Sequence, residues 1–194
     1  MSVAFKILFL AMLLPLPGSG EGTLEGHGAE KRFFSRHYGF SMSVPVGWGV
    51  STRLDTPVYF YAPPSEKFVQ DAIPEGGAVI IVQAHDAEAS LGKSAKTAES
   101  WAKADMEAFA PKPVAIQAFQ FHAESGVSQA VVCSYDEARL SPDERPQHSV
   151  AIFWEFNQEL FAAHLRYNAN DAKGPLFERV FFQTIRSLRP REKH

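Results

Sequence analysis

Imidazole and carboxylate side chains recur together along this chain, as His85 with Asp86, His122 with Glu124, and His148 with Asp136 and Glu137. If strand ends brought them to one edge of a sheet, they would offer nitrogen and oxygen ligands of the kind zinc or manganese takes. Their spacing matches no metal-binding signature. Polar residues at strand ends ordinarily mark where a sheet meets water, so no metal ligand is assigned.

The stretch Ala87, Glu88, Ala89, Ser90, Leu91, Gly92, Lys93, Ser94 fits the spacing of a phosphate loop with alanine in place of the first glycine. A phosphate loop needs free backbone amides, whereas this one has a single glycine and a glutamate that repels phosphate. Nucleotide binding is therefore not expected of Lys93 and Ser94. Neither a glycine-flanked serine elbow nor the paired-histidine zinc helix is present. A triad can still be assembled from distant residues. No catalytic residue, cofactor or cofactor-binding residue is assigned.

Cys133, the single cysteine, sits in the run Val131, Val132, Cys133, Ser134, Tyr135, where it reads as a buried, inert thiol on a strand. Tyr59, Phe60 and Tyr61, with Trp48 nearby, could form an aromatic recognition surface. Alternation along a strand turns at least one of Tyr59 and Phe60 outward.

These residues must be positioned by a strand-rich domain. A first hairpin is expected from Arg32–Arg36 and Phe40–Val44, turning at His37, Tyr38 and Gly39. Short strands follow at Trp48–Arg53 and Val58–Ala62, and the β-branched run Ala78–His85 is a stronger one. The period then changes. Ala98, Trp101, Ala102, Met106 and Phe109 share one helical stripe, with Thr97 as N-cap and Pro111 and Pro113 as the stop. Asp105 falls on this stripe and is expected at its edge, with its carboxylate reaching solvent.

Four further strands are expected, at Ala115–Phe121, Gly126–Tyr135, Ser149–Phe156 and Leu160–Tyr167. A turn at Asn157 and Gln158 would pair Trp154 with Phe161, Ile152 with Ala163 and Val150 with Leu165 on one core face. Asp171 would cap a last helix, Lys173–Ser187, whose apolar stripe is Leu176, Phe177, Val180, Phe181, Thr184, Ile185 and Leu188. Short connections and two helices make the fold α+β, with a central, mainly antiparallel sheet flanked by helices.

The 194 residues, 45% hydrophobic and 12% aromatic, suffice for one core. Residues 1–20 read as a signal peptide: Lys6 in a charged start, an apolar run from Ile7 to Leu16, and small residues before a cleavage site near Gly20. Residues 21–32 then form a flexible tail and residues 33–190 the domain. Loss of Lys6 shifts the formal charge from -3 to -4, which draws in neither nucleic acid nor an anionic membrane. No membrane span is expected after cleavage. The lone cysteine excludes an internal disulfide.

The segment Tyr38, Gly39, Phe40, Ser41, Met42, Ser43, Val44, Pro45, Val46, Gly47, Trp48 resembles the opening of the PsbP and Mog1-like superfamily, which includes PsbP, Mog1 and DcrB-like exported proteins. The later order, with strand Val79–Val82, a helix holding Trp101, antiparallel strands and a closing helix at Phe177–Leu188, is similar too. The resemblance implies an α/β/α sandwich and a noncatalytic binding or assembly role, and transfers no site residue. An exported, periplasmic or secreted, noncatalytic accessory protein with another envelope protein as partner is the resulting expectation. A metal-dependent or hydrolytic enzyme with a loop-assembled site, and a small-ligand or lipid carrier, are the alternatives.

Overall fold

The computed structural model describes residues 22–51, 56–65, 69, 72–85, 95–139 and 144–191. The expected signal peptide and the phosphate-loop-like stretch, with Asp86, lie outside the described residues.

Among the described residues eleven strands form two sheets. β1 (Thr23–Glu25), β2 (Arg32–Ser35), β3 (Phe40–Ser43) and β11 (Arg189–Pro190) make a four-stranded sheet in that order. β4 (Gly49–Ser51), β5 (Val58–Ala62), β6 (Ala78–Ala84), β7 (Gln117–Ala118), β8 (Val127–Asp136), β9 (Gln147–Phe156) and β10 (Glu159–Asn168) make the larger one, ordered β4-β5-β6-β10-β9-β8-β7. Every pairing is antiparallel. The α+β class expected from the sequence is the class observed.

The β9–β10 hairpin is the middle of the large sheet. Asn157 and Gln158 hold φ of 51° and 67°, the left-handed pair of a two-residue hairpin turn whose twist suits the strands it joins. Trp154 opposes Phe161, Ile152 opposes Ala163 and Val150 opposes Leu165, as the alternation predicts. Because strand side chains alternate, these residues occupy one face, and Ala151, Phe153, Ala162 and His164 the other.

Each face is covered differently. Helix α1 (Ala98–Phe109) lays Ala98, Trp101 and Ala102 on Cys133, Tyr135, Ala151, Phe153 and Ala162. Thr97 caps it, its hydroxyl accepting from the Ser100 amide at 3.1 Å while Ser100 reaches back to the Thr97 amide. The opposite face carries helix α2 (Gly174–Arg186) and the small sheet, whose Phe33, Phe40 and Met42 join Trp154, Phe161, Phe177, Phe181 and Ile185 in the main core. Arg32 fastens the small sheet to the end of α2, donating to Ser41, Ser43 and the Ser187 carbonyl. Among the described residues no helix is long and apolar enough to cross a membrane.

Several expectations are corrected. The segment read as a flexible tail contains β1, paired with β2 from Thr23 opposite Phe34 to Glu25 opposite Arg32, and a 3-10 turn at Gly28–Glu30. The first hairpin belongs to a separate sheet. The strand expected at Ala115–Phe121 shrinks to β7, which pairs only Gln117 with Val132 and Ala118 with Val131, next to the irregularity of β8 between Val127 and Ala130. Asp171 does not cap α2; its carboxylate accepts from the Lys173 amide in a turn one step earlier, and Lys173 holds the cap position. Leu176 leaves the core stripe and is 51% exposed.

Candidate functional site

Asp136 and His148 are cross-strand partners on β8 and β9, and Ser134 stands two residues before Asp136 on the same face. His148 Nδ1 is 2.7 Å from Asp136 Oδ1, and His148 Nε2 is 2.9 Å from Ser134 Oγ. With Nδ1–H donating to the carboxylate, a neutral imidazole presents Nε2 as an acceptor for the serine hydroxyl. Tyr167, opposite His148 on β10, packs its ring 5.2 Å away and donates its hydroxyl to Glu178 of α2 at 2.7 Å. Glu178 also lies 3.9 Å from His148 Nε2. Burial, reinforced by the Glu178 carboxylate, pushes the Tyr167 phenol above its ordinary range, so it stays a donor.

The sheet's other face holds a drier polar network under the end of α1. Asp105 is 4% exposed and accepts from the Tyr135 hydroxyl at 2.6 Å, with His164 Nε2 at 4.0 Å. The expectation that its carboxylate reaches solvent is thus corrected: the helical stripe carries Asp105 inward, where Tyr135 supplies its partner. Burial first, then the Asp105 charge, keeps the Tyr135 phenol protonated.

Arg166 clamps Glu137 with two hydrogen bonds of 2.7 and 2.8 Å, and Ser149 adds a third at 2.6 Å. Burial favours the neutral acid, but Arg166 and Ser149 outweigh it and hold the Glu137 carboxyl below the ordinary range. Cys133 is buried as expected, and burial with nearby Asp105 pushes its thiol up to about 12, so no nucleophilic thiolate forms.

A shallow cleft of about 240 Å³ opens where Phe119–Ala123 runs beside the start of β8. Phe119, Phe121, Val127 and Ala130 give it apolar lining, and Gln120, His122, Ser128 and Gln129 polar groups. No lysine, arginine or carboxylate lines it.

Of the imidazole and carboxylate groups singled out in the sequence, the structure brings together Asp136 and His148. Glu137 points to the opposite face. His85 packs edge-on against Trp101, 4.8 Å between centroids, under α1. His122 precedes a 3-10 turn and lines the cleft, and Glu124 faces Arg189 at 3.8 Å. The groups sit at opposite ends of the large sheet, because Val127 pairs with Phe156 at one end of β8 and Asp136 with His148 at the other. Among the described residues no three such side chains could hold a metal ion. Of the aromatic cluster, Tyr59 and Phe60 are both buried, since this part of the sheet is covered on each side. Sequence reasoning missed Ser134, although its spacing from Asp136 is the period of a strand face.

No family model and no curated protein matches the chain. Solved structures do. One is a Pseudomonas aeruginosa protein of unknown function, PA94, at 14% identity over 90% of this chain and 100% of that one, with TM-score 0.46. LpqN of Mycobacterium tuberculosis, involved in cell envelope biogenesis, is 12% identical over 87% and 90%, with TM-score 0.49. The Ran-binding protein Mog1p of Saccharomyces cerevisiae is 10% identical over 87% and 96%, with TM-score 0.47. The likeness is one of fold.

Proposed function

We propose that this chain is an exported accessory protein that works by binding, and that its partner is another protein of the cell envelope, held at the cleft beside β7 and β8. The charged start, short apolar run and small residues of positions 1–20 support export. The single observation that carries the binding role is the lining of the cleft. Phenylalanine rings and aliphatic groups stand beside amide, hydroxyl and imidazole side chains, with no lysine, arginine or carboxylate among them.

Such a surface complements an uncharged peptide segment, whose backbone pairs with Gln120, Gln129 and Ser128 while one side chain meets Phe119 and Phe121. It does not complement a phosphate or a metal. An open cleft of this size takes a few residues of a partner, which suits a reversible accessory contact.

The test is affinity capture from the native envelope with the wild-type chain, the variant Ser128→Arg and the variant Leu176→Arg. Ser128 is exposed at the cleft, whereas Leu176 is exposed on α2. A partner that is lost with Ser128→Arg and kept with Leu176→Arg supports the reading. One retained equally by both variants places binding elsewhere and overturns it.

A further inference from the structure

We propose that Ser134 is a nucleophile able to take an acyl group from a small, activated ester, with His148 as its base and Asp136 positioning that base. This goes beyond the binding role and stands on different residues, at the opposite end of β8 from the cleft.

Geometry comes first. A serine nucleophile needs a base within hydrogen-bond reach of its hydroxyl, and a third group orienting the base. Ser134 Oγ to His148 Nε2 is 2.9 Å, and His148 Nδ1 to Asp136 Oδ1 is 2.7 Å. These atoms hang from two hydrogen-bonded strands, with Asp136 opposite His148 and Ser134 opposite Val150, so the backbone fixes their spacing. The imidazole is 22% exposed and lies against Tyr167, while Ser134 faces solvent. The base is thus held still beside a reachable hydroxyl.

Charge comes second. When Ser134 gives its proton to Nε2, the imidazolium formed lies 2.7 Å from the Asp136 carboxylate and 3.9 Å from that of Glu178. Glu178 is kept in place by the Tyr167 hydroxyl. Two anions therefore stabilise the cation that the step creates.

The reaction balances without further reagents. Ser134 Oγ bonds to the ester carbonyl carbon as its proton moves to His148 Nε2. The tetrahedral adduct collapses, the bond to the leaving oxygen breaks, and His148 returns the proton to that oxygen. Acyl-Ser134 and a free alcohol result. Water activated by the same imidazole then releases the acid and restores the serine.

Exposure sets the substrate class. Asp136 is 71% exposed and Ser134 faces solvent, so water screens the carboxylate's hold on the imidazole and weakens the base. Esters with good leaving groups fit this site, whereas amides do not.

The competing reading is a surface hydrogen-bond chain with no chemistry, and an electrophile separates the two. The full chain would be treated with 4-nitrophenyl acetate and, separately, with a fluorophosphonate probe, and the modified residue located by peptide mass analysis. Labelling is expected at Ser134, absent in Ser134→Ala, and about a hundredfold slower or more in His148→Gln, the usual worth of a positioned general base. Asp136→Asn should slow it less, and shift its pH profile. The exposed Ser128 is the internal control. Each variant's thermal midpoint is read alongside, and Ser134→Thr keeps a hydroxyl at the site should Ser134→Ala misfold. Labelling of Ser134 no faster than of Ser128, or unchanged in a folded His148→Gln, overturns the proposal.

Discussion

The phenolic oxygen of Tyr135 lies 2.6 Å from Oδ2 of Asp105, a bond that ties helix α1 to strand β8 from inside the protein. Both partners are buried. A charge-assisted hydrogen bond is stronger in such surroundings than in water, and the same surroundings make either partner costly to leave alone.

Replacing Tyr135 by phenylalanine should therefore destabilise the fold by about 1–3 kcal/mol, the cost of a buried acceptor deprived of its donor. The double variant Tyr135→Phe, Asp105→Leu should recover part of that loss, since it removes the stranded carboxylate. Urea unfolding of the two variants and the wild type measures both effects. An unchanged midpoint in Tyr135→Phe would show that the bond contributes nothing.

Trp154 is fully buried and stacked on Phe161, with centroids 5.6 Å apart and planes at 17°. Truncation to alanine should cost about 3–5 kcal/mol through lost burial and the cavity left behind. Trp154→Phe should cost much less, because the indole nitrogen has no hydrogen-bond partner among the described residues. Thermal unfolding distinguishes them, and equal losses would mean that the ring's shape matters less than its nitrogen.

Glu137 carries a pH prediction. Its carboxyl is held below the ordinary range in the folded chain, so its contribution is fully present above the unfolded value, ~4.3 for a glutamate, and is lost as pH falls through the folded value. The wild-type melting temperature should fall on acidification through that window. Glu137→Gln should start lower, for it leaves the Arg166 guanidinium without its carboxylate, and should fall less steeply. Parallel curves would assign the acid sensitivity to other groups.

How much of this was legible in the sequence depended on side-chain size and on distance along the chain. The β9–β10 register could be read because Trp154 and Phe161 sit a two-residue turn apart, and a slip by one position would turn both to the wrong face. Thr97 announced the start of α1 in the same local way, while the Ser100 half of its capping box was not read. Thr23–Glu25 gave no such signal, as one hydrophobic residue among three pairs through backbone alone. Asp105 looked like a solvent-facing edge residue because its partner lies 30 positions away. The Ser134–His148–Asp136 chain needed the β8–β9 register, which spans a long connection and carries an irregularity between Val127 and Ala130. No local pattern fixes such a pairing.

The small sheet also brings the two ends of the described chain into one row. Thr23 pairs with Phe34, Phe34 with Ser41, and Ser41 with Arg189, so residues near either end are separated by three strand spacings, about 14 Å. A linker of about five extended residues bridges that gap. The domain is therefore suited to circular permutation: residues 22 and 191 joined, and new termini opened at the exposed Asn157–Gln158 turn, would leave both sheets with their present neighbours while moving the chain's entry and exit points to the hairpin tip.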